Sequence, residues 1–257
     1  MDLLLEPSSW ALLAIIGLMA GFIDAVAGGG GLLSIPALLT MGVSPHMALA
    51  TNKLAACFSS SMAAYTYYKQ RLFSPILWYH AFIATFIGAV VGTLVVSIID
   101  KQSLEKWLPL IIIAIAIYTL LQPNAMGCKN CDIPTKPKPK VIQWLQGLIL
   151  GFYDGFAGPG VGAFWTVSST GLHKVPLLYS LGLARAMTFT SNLTSLIIFF
   201  AMGKVHLAIG LAMGTCMMVG SYIGAHSAIK FGQPFIRPIF ITMILLIAAQ
   251  LAWSAWV

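Results

Sequence analysis

Long apolar runs separated by short polar turns dominate the chain. A helix needs about 20 mainly apolar residues to cross a bilayer. Eight runs approach or exceed this length, at residues 10–27, 46–68, 75–99, 107–121, 141–157, 176–202, 205–229 and 238–256. The pattern therefore predicts an all-α polytopic membrane protein with about eight transmembrane helices.

Two glycine-rich segments interrupt this pattern, each at the end of a predicted span. The sequence GFIDAVAGGGG occupies residues 21–31, and GFYDGFAGPG occupies residues 151–160, at an offset of 130. Six of ten aligned positions are identical, which indicates an internal duplication. Each segment precedes an apolar run too short to span, at residues 32–41 and 161–170, and we predict a half-helix at both places.

A linker rich in proline and lysine, residues 122–140, separates the two copies. This composition favours a solvated, extended segment. It divides the chain into a first transmembrane repeat, residues 1–121, and a second, residues 141–257, each with four spans, a glycine-rich break and a half-helix. Lysine and arginine in the loops favour cytoplasmic N and C termini. Four crossings per half imply parallel repeats and an odd number implies inverted ones, so the relative orientation stays open.

The composition supports a lipid environment. Of the 257 residues, 59% are hydrophobic and 8% are charged, whereas about 25% of the residues of a soluble domain are charged. The chain has too few charged side chains to cover a water-facing surface. The net charge of +7 comes from basic residues that are scattered or lie in short loops, which is typical of cytoplasmic loops and not of a nucleic-acid-binding surface.

The sequence has no pattern typical of an enzyme or a cofactor site. It contains no HExxH, GxSxG or nucleotide-binding loop, so we expect no catalysis, no ATP-driven pumping and no cofactor. Cys128 and Cys131 have CxxC spacing, but a zinc site needs four ligands and no second pair is present. We interpret them as a plain pair in the linker, with metal binding and redox activity as the alternatives.

The glycines of the two breaks are candidate substrate contacts. They are Gly28, Gly29, Gly30 and Gly31 in the first copy, and Gly158 and Gly160 in the second. Their N–H groups and the following half-helix N-terminus attract an oxyanion, and irregular backbone in a membrane must be buried or line a wet cavity. The alternative is that these glycines only allow close helix packing.

Asp24 and Asp154 each lie four residues before a glycine run. A carboxylate at bilayer depth costs about 2.5–3.5 kcal/mol on insertion scales, so each needs a partner or a water pathway. We interpret both as structural groups that accept hydrogen bonds from glycine N–H groups and brace the break. The alternative is a protonatable group that couples proton movement to transport.

Two cations, Lys53 and Arg185, lie at corresponding positions of the second and sixth spans. Polar side chains accompany each cation on its helix, Thr51 and Asn52 beside Lys53, and Thr188 and Asn192 beside Arg185. A cation with hydroxyl and amide groups beside it suits an oxyanion, so we predict that these residues bind the substrate. The alternative is that both cations form salt bridges with the two aspartates and hold the halves together.

The chain resembles the sulfite exporter TauE/SafE family over nearly its whole length. The resemblance rests on GFIDAVAGGGGLLSIPALLTMGVSPHMALATNKL in the first copy, and on GFYDGFAGPG and a TSN-containing sixth span in the second. It implies a bacterial inner-membrane permease that moves sulfite, sulfonates or related sulfur-containing anions, usually outward. The second copy departs from the four-glycine run at Pro159 and Val161, so the first loop is the better match to an anion-binding loop.

These features predict a membrane transporter that exports a small sulfur-containing oxyanion, sulfite or an organosulfonate, by alternating access between the two repeats. Its partners would be the anion and the lipid bilayer, without nucleic acid, and a homodimer is left open. The alternatives are an importer, a carrier of another small anion, an intramembrane enzyme, and a scaffold whose glycines only pack. Replacing Lys53 or Arg185 by alanine would leave function intact only in the scaffold.

Overall fold

The described part of the chain is helical throughout. The structure is a computed structural model that describes residues 7–99, 133–135, 139–239 and 241–242, and these residues form no strand. Their main helices are α1 (Pro7–Ala27), α2 (Gly30–Thr40), α3 (Pro45–Lys69), a 3-10 turn (Pro75–Trp78), α4 (Tyr79–Ile98), α5 (Lys140–Phe156), α6 (Val161–His173), α7 (Leu177–Ala201) and α8 (Leu207–Phe231).

With the 3-10 turn counted as the start of α4, the bounds of these helices agree with the apolar pattern to within three residues. The two short runs after the glycine breaks are helical as predicted, α2 with 11 residues and α6 with 13. The predicted span at residues 107–121, all but four residues of the span at 238–256, and most of the linker at 122–140 lie outside the described residues. The count of eight spans is therefore not settled by the described helices.

Four of the described helices are long and apolar enough to cross a membrane. They cover Ser9–Ala27, Pro75–Ile98, Leu177–Ala201 and Leu207–Phe231. Helix α3 has 25 residues but is less apolar, because it carries buried polar side chains such as Lys53 and Ser59. Helix α5 has 17 residues and is shorter than these spans.

The outer faces of the long helices are apolar. Large hydrophobic side chains remain exposed on each of them, for example Ile15 on α1, Val91 on α4, Ile197 on α7 and Val219 on α8. Extended apolar surface of this kind is unfavourable in water and favourable against lipid chains. The surface and the helix lengths together make this a membrane protein.

Helices α4 and α5 lie against each other through glycines spaced four residues apart. A Cβ atom on Gly92 would lie 2.1 Å from the carbonyl oxygen of Phe152, and one on Gly151 would lie 2.4 Å from that of Thr85. Only glycine permits so close an approach of two helix backbones. Gly151 of the second glycine-rich segment therefore serves helix packing.

Helices α1 and α8 pack in the same manner. A Cβ atom on Gly21 would lie 2.0 Å from the carbonyl oxygen of Met217, and one on Gly220 would lie 1.9 Å from that of Leu18. The first helix of the N-terminal half thus packs against the last described long helix of the C-terminal half.

Helices α3 and α7 pack against each other in the interior. Nearly two thirds of the residues of α7 are buried, and aromatic side chains such as Tyr67, Trp165 and Tyr179 are enclosed between the neighbouring helices. Both helices carry their polar side chains on buried faces. Among these buried polar side chains are two cations, Lys53 on α3 and Arg185 on α7.

Candidate functional site

The first break is shorter than the glycine run. Helix α1 ends at Ala27, Gly28 and Gly29 form the connection, and α2 begins at Gly30. Gly28 has a φ of 84°, a left-handed conformation that glycine adopts without steric cost. One such residue is enough to redirect the chain, so Gly30 and Gly31 already belong to the first turn of α2, two residues before the predicted start.

The second break contains two left-handed glycines. Helix α5 ends at Phe156, and α6 begins at Val161 after Gly158 and Gly160, which have φ values of 89° and 76°. Tyr153, which lies within the glycine-rich motif, donates a hydrogen bond from its hydroxyl to the carbonyl oxygen of Pro159 at 2.6 Å. The second break is thus held to the helix that precedes it.

The two breaks meet inside the protein. A Cβ atom on Gly28 would lie 2.4 Å from the main-chain nitrogen of Ala163, in the first turn of α6. A Cβ atom on Gly31 would lie 3.5 Å from Cα of Pro159. The connection between α1 and α2 therefore contacts the connection between α5 and α6 and the start of α6.

Lys53 and Asp154 form a fully enclosed ion pair beside the second break. The Nζ atom of Lys53 lies 2.6 Å from Oδ1 of Asp154, and their side chains are 3% and 2% exposed. Lys53 also donates to the main-chain oxygen of Asp154 and, at 3.0 Å, to Oδ1 of Asn192. Ser191 donates to Oδ2 of Asp154. The three hydrogens of the ammonium group thus have three acceptors.

Arg185 and Asp24 form the second ion pair, beside the first break. The Nη1 atom of Arg185 lies 3.2 Å from Oδ1 of Asp24, and Ser59 donates to Oδ2 of Asp24 at 2.8 Å. The side chain of Arg185 is 0% exposed and that of Asp24 is 15% exposed. The Nε and Nη2 atoms of Arg185 have no hydrogen-bond partner among the described residues.

The two pairs cross between the halves of the chain. Each carboxylate accepts from a serine of its own half and from a cation of the other half. The sequence predicts that the cations bind substrate, with salt bridges to the aspartates as the alternative, and here both cations bind the aspartates. Contact with substrate stays a prediction. The carboxylates accept from serines and cations; no hydrogen bond joins them to the N–H groups of residues 28–31 or 158–160 in the described structure.

The remaining predicted residues lie nearby but make other contacts. Asn52 is buried, and its Oδ1 accepts from Ser34 of α2 at 2.5 Å. Thr51 accepts from the main-chain N–H of His206, and Thr188 donates to the carbonyl oxygen of Arg185 in its own helix. The threonines therefore hydrogen-bond to main-chain groups and not to the ion pairs.

Ser59 and Ser191 belong to the site although the sequence analysis did not select them. They are separated by 132 residues, the same offset that separates Lys53 from Arg185. This shared offset was the available signal. Ser60 follows Lys53 seven residues later, on the same helical stripe of α3, but it donates to the carbonyl oxygen of Ala56 in its own helix.

The described residues contain no set of side chains that could bind a metal ion. Among the residues that the structure describes, no three His, Cys, Asp or Glu side chains lie close enough together to hold a metal ion. Cys128 and Cys131 lie outside these residues, so the interpretation of the CxxC pair stays a prediction. The described chemistry consists of two cations, two carboxylates and the polar groups around two helix breaks.

Fold and site together define a helical membrane protein that holds two ion pairs at interrupted helices in its interior. Broken helices of this kind are typical of membrane proteins that bind ions or small solutes between their helices.

Comparison with known proteins gives the family. The sequence pattern of the family described as sulfite exporter TauE/SafE matches residues 13–251, and the chain belongs to this family. A probable membrane transporter protein of Haemophilus influenzae is 35% identical over 248 residues, covering 95% of this chain and 94% of that protein. The probable membrane transporter protein YfcA of Escherichia coli K12 is 33% identical over 252 residues, covering 98% and 93%. No solved structure gave a significant match.

Proposed function

We propose that this protein exports a small sulfur-containing oxyanion, such as sulfite or a short organosulfonate, by alternating access. One observation carries the proposal: two enclosed cations lie at two helix breaks that contact each other. A buried charge is costly in a membrane and is retained where it serves a pathway or binds a partner. The family name supports sulfite as the first anion to test.

The chemistry of the breaks suits an oxyanion. Helix N-termini carry partial positive charge and unpaired N–H donors. Here the first turn of α6 lies beside the guanidinium group of Arg185, and Gly28, two residues before α2, lies beside the same group. The proposed contacts are the N–H groups of Gly28, Gly29, Gly30, Gly31, Gly158 and Gly160, with Thr51, Asn52, Lys53, Arg185, Thr188 and Asn192. Charge-assisted hydrogen bonds from such groups are stronger than neutral ones.

We further propose that the chain forms two repeats, residues 1–121 and 141–257, with eight membrane spans and the linker 122–140 between them. The crossed ion pairs support this arrangement, because equivalent aspartates and equivalent cations make equivalent contacts. A rocking movement of one repeat against the other would change both breaks together.

Export needs no chemical fuel in this scheme. A membrane potential that is negative inside favours the exit of an anion by about 2.3 kcal/mol per charge per 100 mV. We place the protein in the bacterial inner membrane with both termini in the cytoplasm, on the basis of the lysine and arginine residues in its loops.

Flux in proteoliposomes tests the function. Vesicles loaded with labelled sulfite or methanesulfonate should release the anion faster with the protein than without it, and an imposed potential that is negative inside should accelerate release. Arg185→Gln serves as the inactive control. Flux of phosphate or carboxylates but of no sulfur oxyanion would point to another substrate, and the absence of flux of every anion through folded protein would refute transport.

A further inference from the structure

The two ion pairs differ in how completely their cations are hydrogen-bonded. Lys53 has an acceptor for each of its three hydrogens. Arg185 has five N–H donors, and those on Nε and Nη2 have no partner among the described residues although the side chain is fully buried. Buried donors are rarely left unpaired, because each loses its bond to water without compensation.

The surroundings of Arg185 are electropositive. A Cβ atom on Gly162 would lie 2.4 Å from Nη2 and 2.9 Å from Cζ of Arg185, so the guanidinium group lies against the first turn of α6. The N-terminus of a helix carries about half a positive charge. The guanidinium group and the N-terminus of α6 therefore repel each other. One carboxylate contact, from Asp24 to Nη1 of Arg185, offsets this repulsion.

One substitution between the halves contributes to the difference. Asn192 on α7 supplies the third acceptor for Lys53. The residue at the corresponding position of α3 is Ser60, which donates to its own helix at Ala56. Arg185 consequently receives no equivalent of the bond that completes the Lys53 site.

We propose that the transported oxyanion binds at Arg185 in exchange for Asp24, and that the Lys53–Asp154 pair remains closed during transport. This inference rests on the function proposed above and assigns its anion to one of the two cations, so Lys53 and its acceptor Asn192 no longer count among the proposed anion contacts. The N–H donors of a guanidinium group form a rigid fork that matches an anion with two or more equivalent oxygens. Sulfite and sulfonates are anions of this kind. Its oxygens would satisfy the unpartnered Nε and Nη2 donors and neutralise the start of α6.

Asp24 acts in this scheme as an internal competitor of the substrate. It is partly exposed, whereas Arg185 is fully buried, so displacement of Asp24 is the movement that opens the guanidinium group. A competitor lowers the apparent affinity in proportion to the fraction of time for which it occupies the site. Removing the charge of Asp24 should therefore tighten anion binding.

Calorimetric titration of the purified full-length protein in detergent with sulfite and methanesulfonate tests the assignment. Asp24→Asn should bind both anions at least about tenfold more tightly than the unmodified protein, and Arg185→Gln should bind neither. Asp154→Asn is the matched control at the other pair, and its anion affinity should not rise. If Asp24→Asn is unstable without anion, methanesulfonate should raise its denaturation temperature more than that of the unmodified protein.

A second pair of variants leaves all four charges in place. Ser59→Ala removes the hydroxyl that holds Asp24 and should tighten anion binding about threefold. Ser191→Ala removes the corresponding hydroxyl at Asp154 and should not tighten anion binding. An unchanged or lower affinity in both Asp24→Asn and Ser59→Ala would overturn the assignment to Arg185, as would tighter binding in Asp154→Asn.

The outcomes separate this inference from the proposed function. Suppose that the unmodified protein transports sulfite, and that anion affinity changes only in the variants at Asp154 and Ser191. The transport function then stands, and the assignment of the anion to Arg185 falls. If the expected pattern of binding occurs and no anion crosses the membrane, the site at Arg185 stands and transport falls. If folded unmodified protein and folded Asp24→Asn bind no anion, both fall.

Discussion

At the scale of single residues, the site depends on charges that are enclosed by protein. Asp154 and Lys53 are nearly unexposed and compensate each other. A buried pair of this kind contributes little relative to apolar residues of the same volume, but removal of one partner leaves an uncompensated charge. The stability of the interior therefore depends on both partners being present.

The first prediction follows from this dependence. Lys53→Ala alone should lower the stability of the protein in detergent by about 3–5 kcal/mol, because Asp154 is then buried without a counter-charge. The double variant Lys53→Ala with Asp154→Ala should lose less than the sum of the two single variants. Thermal denaturation followed by intrinsic tryptophan fluorescence measures the differences, and additive losses would show that the two groups are not coupled.

A second prediction concerns the glycine on which the guanidinium group lies. Gly162→Ala places a methyl group 2.4 Å from Nη2 of Arg185, so the side chain must move and anion binding should be lost, with a stability loss of about 1–3 kcal/mol. Gly171→Ala, in the same helix with no atom within 4 Å of the added methyl group, is the control. It should keep normal binding and gain up to about 1 kcal/mol of helix stability. Normal binding by Gly162→Ala would place the anion elsewhere.

At the scale of elements, the helix bounds were predictable and the pairing was not. Long apolar runs, glycines and prolines determine where a helix begins and ends, which explains the agreement to within three residues. Which aspartate pairs with which cation depends on how α3 and α7 cross, and no periodicity in the chain contains that information. Ser59 was missed for the same reason: it serves the pair of Arg185 and so does not lie on the stripe that Lys53 defines.

The third prediction tests the close packing of α1 against α8. Gly220→Ala would place a methyl group 1.9 Å from the carbonyl oxygen of Leu18, and because a backbone atom cannot yield, the helices must separate at a cost of about 1–3 kcal/mol or more. Val219→Ala, at an adjacent position that is 53% exposed, should change stability by less than about 0.5 kcal/mol. Equal denaturation temperatures for the two variants would contradict the packing described.

At the scale of the whole molecule, the two breaks form one contact region to which both halves contribute. Gly31 and Pro159 come from different halves, and a Cβ atom on Gly31 would lie 3.5 Å from Cα of Pro159. Alternating access requires the surroundings of the substrate to change as the halves move. We therefore expect this contact to open during each cycle.

The fourth prediction is that a covalent link across the contact stops transport. In a background without the native cysteines, Gly31→Cys with Pro159→Cys should form a disulfide. A Cβ atom on Gly31 would lie 3.5 Å from Cα of Pro159, which brings the two positions within reach of a bond whose Cβ atoms lie about 3.5–4.5 Å apart. Oxidised protein should be folded and show no flux, and reduction of the same sample should restore whatever flux the reduced variant supports. Undiminished flux through fully oxidised protein would show that the breaks stay together throughout the cycle.

The crossed ion pairs also constrain how the protein is made. Lys53 and Asp24 emerge from the ribosome more than a hundred residues before their partners Asp154 and Arg185, so the early half enters the membrane with charges that nothing yet neutralises. Those charges cost free energy until the later half arrives. Completion of the interior is thus a late event in biogenesis, and a chain interrupted in the linker exposes unpaired charges by which quality-control proteases can distinguish it from the finished transporter.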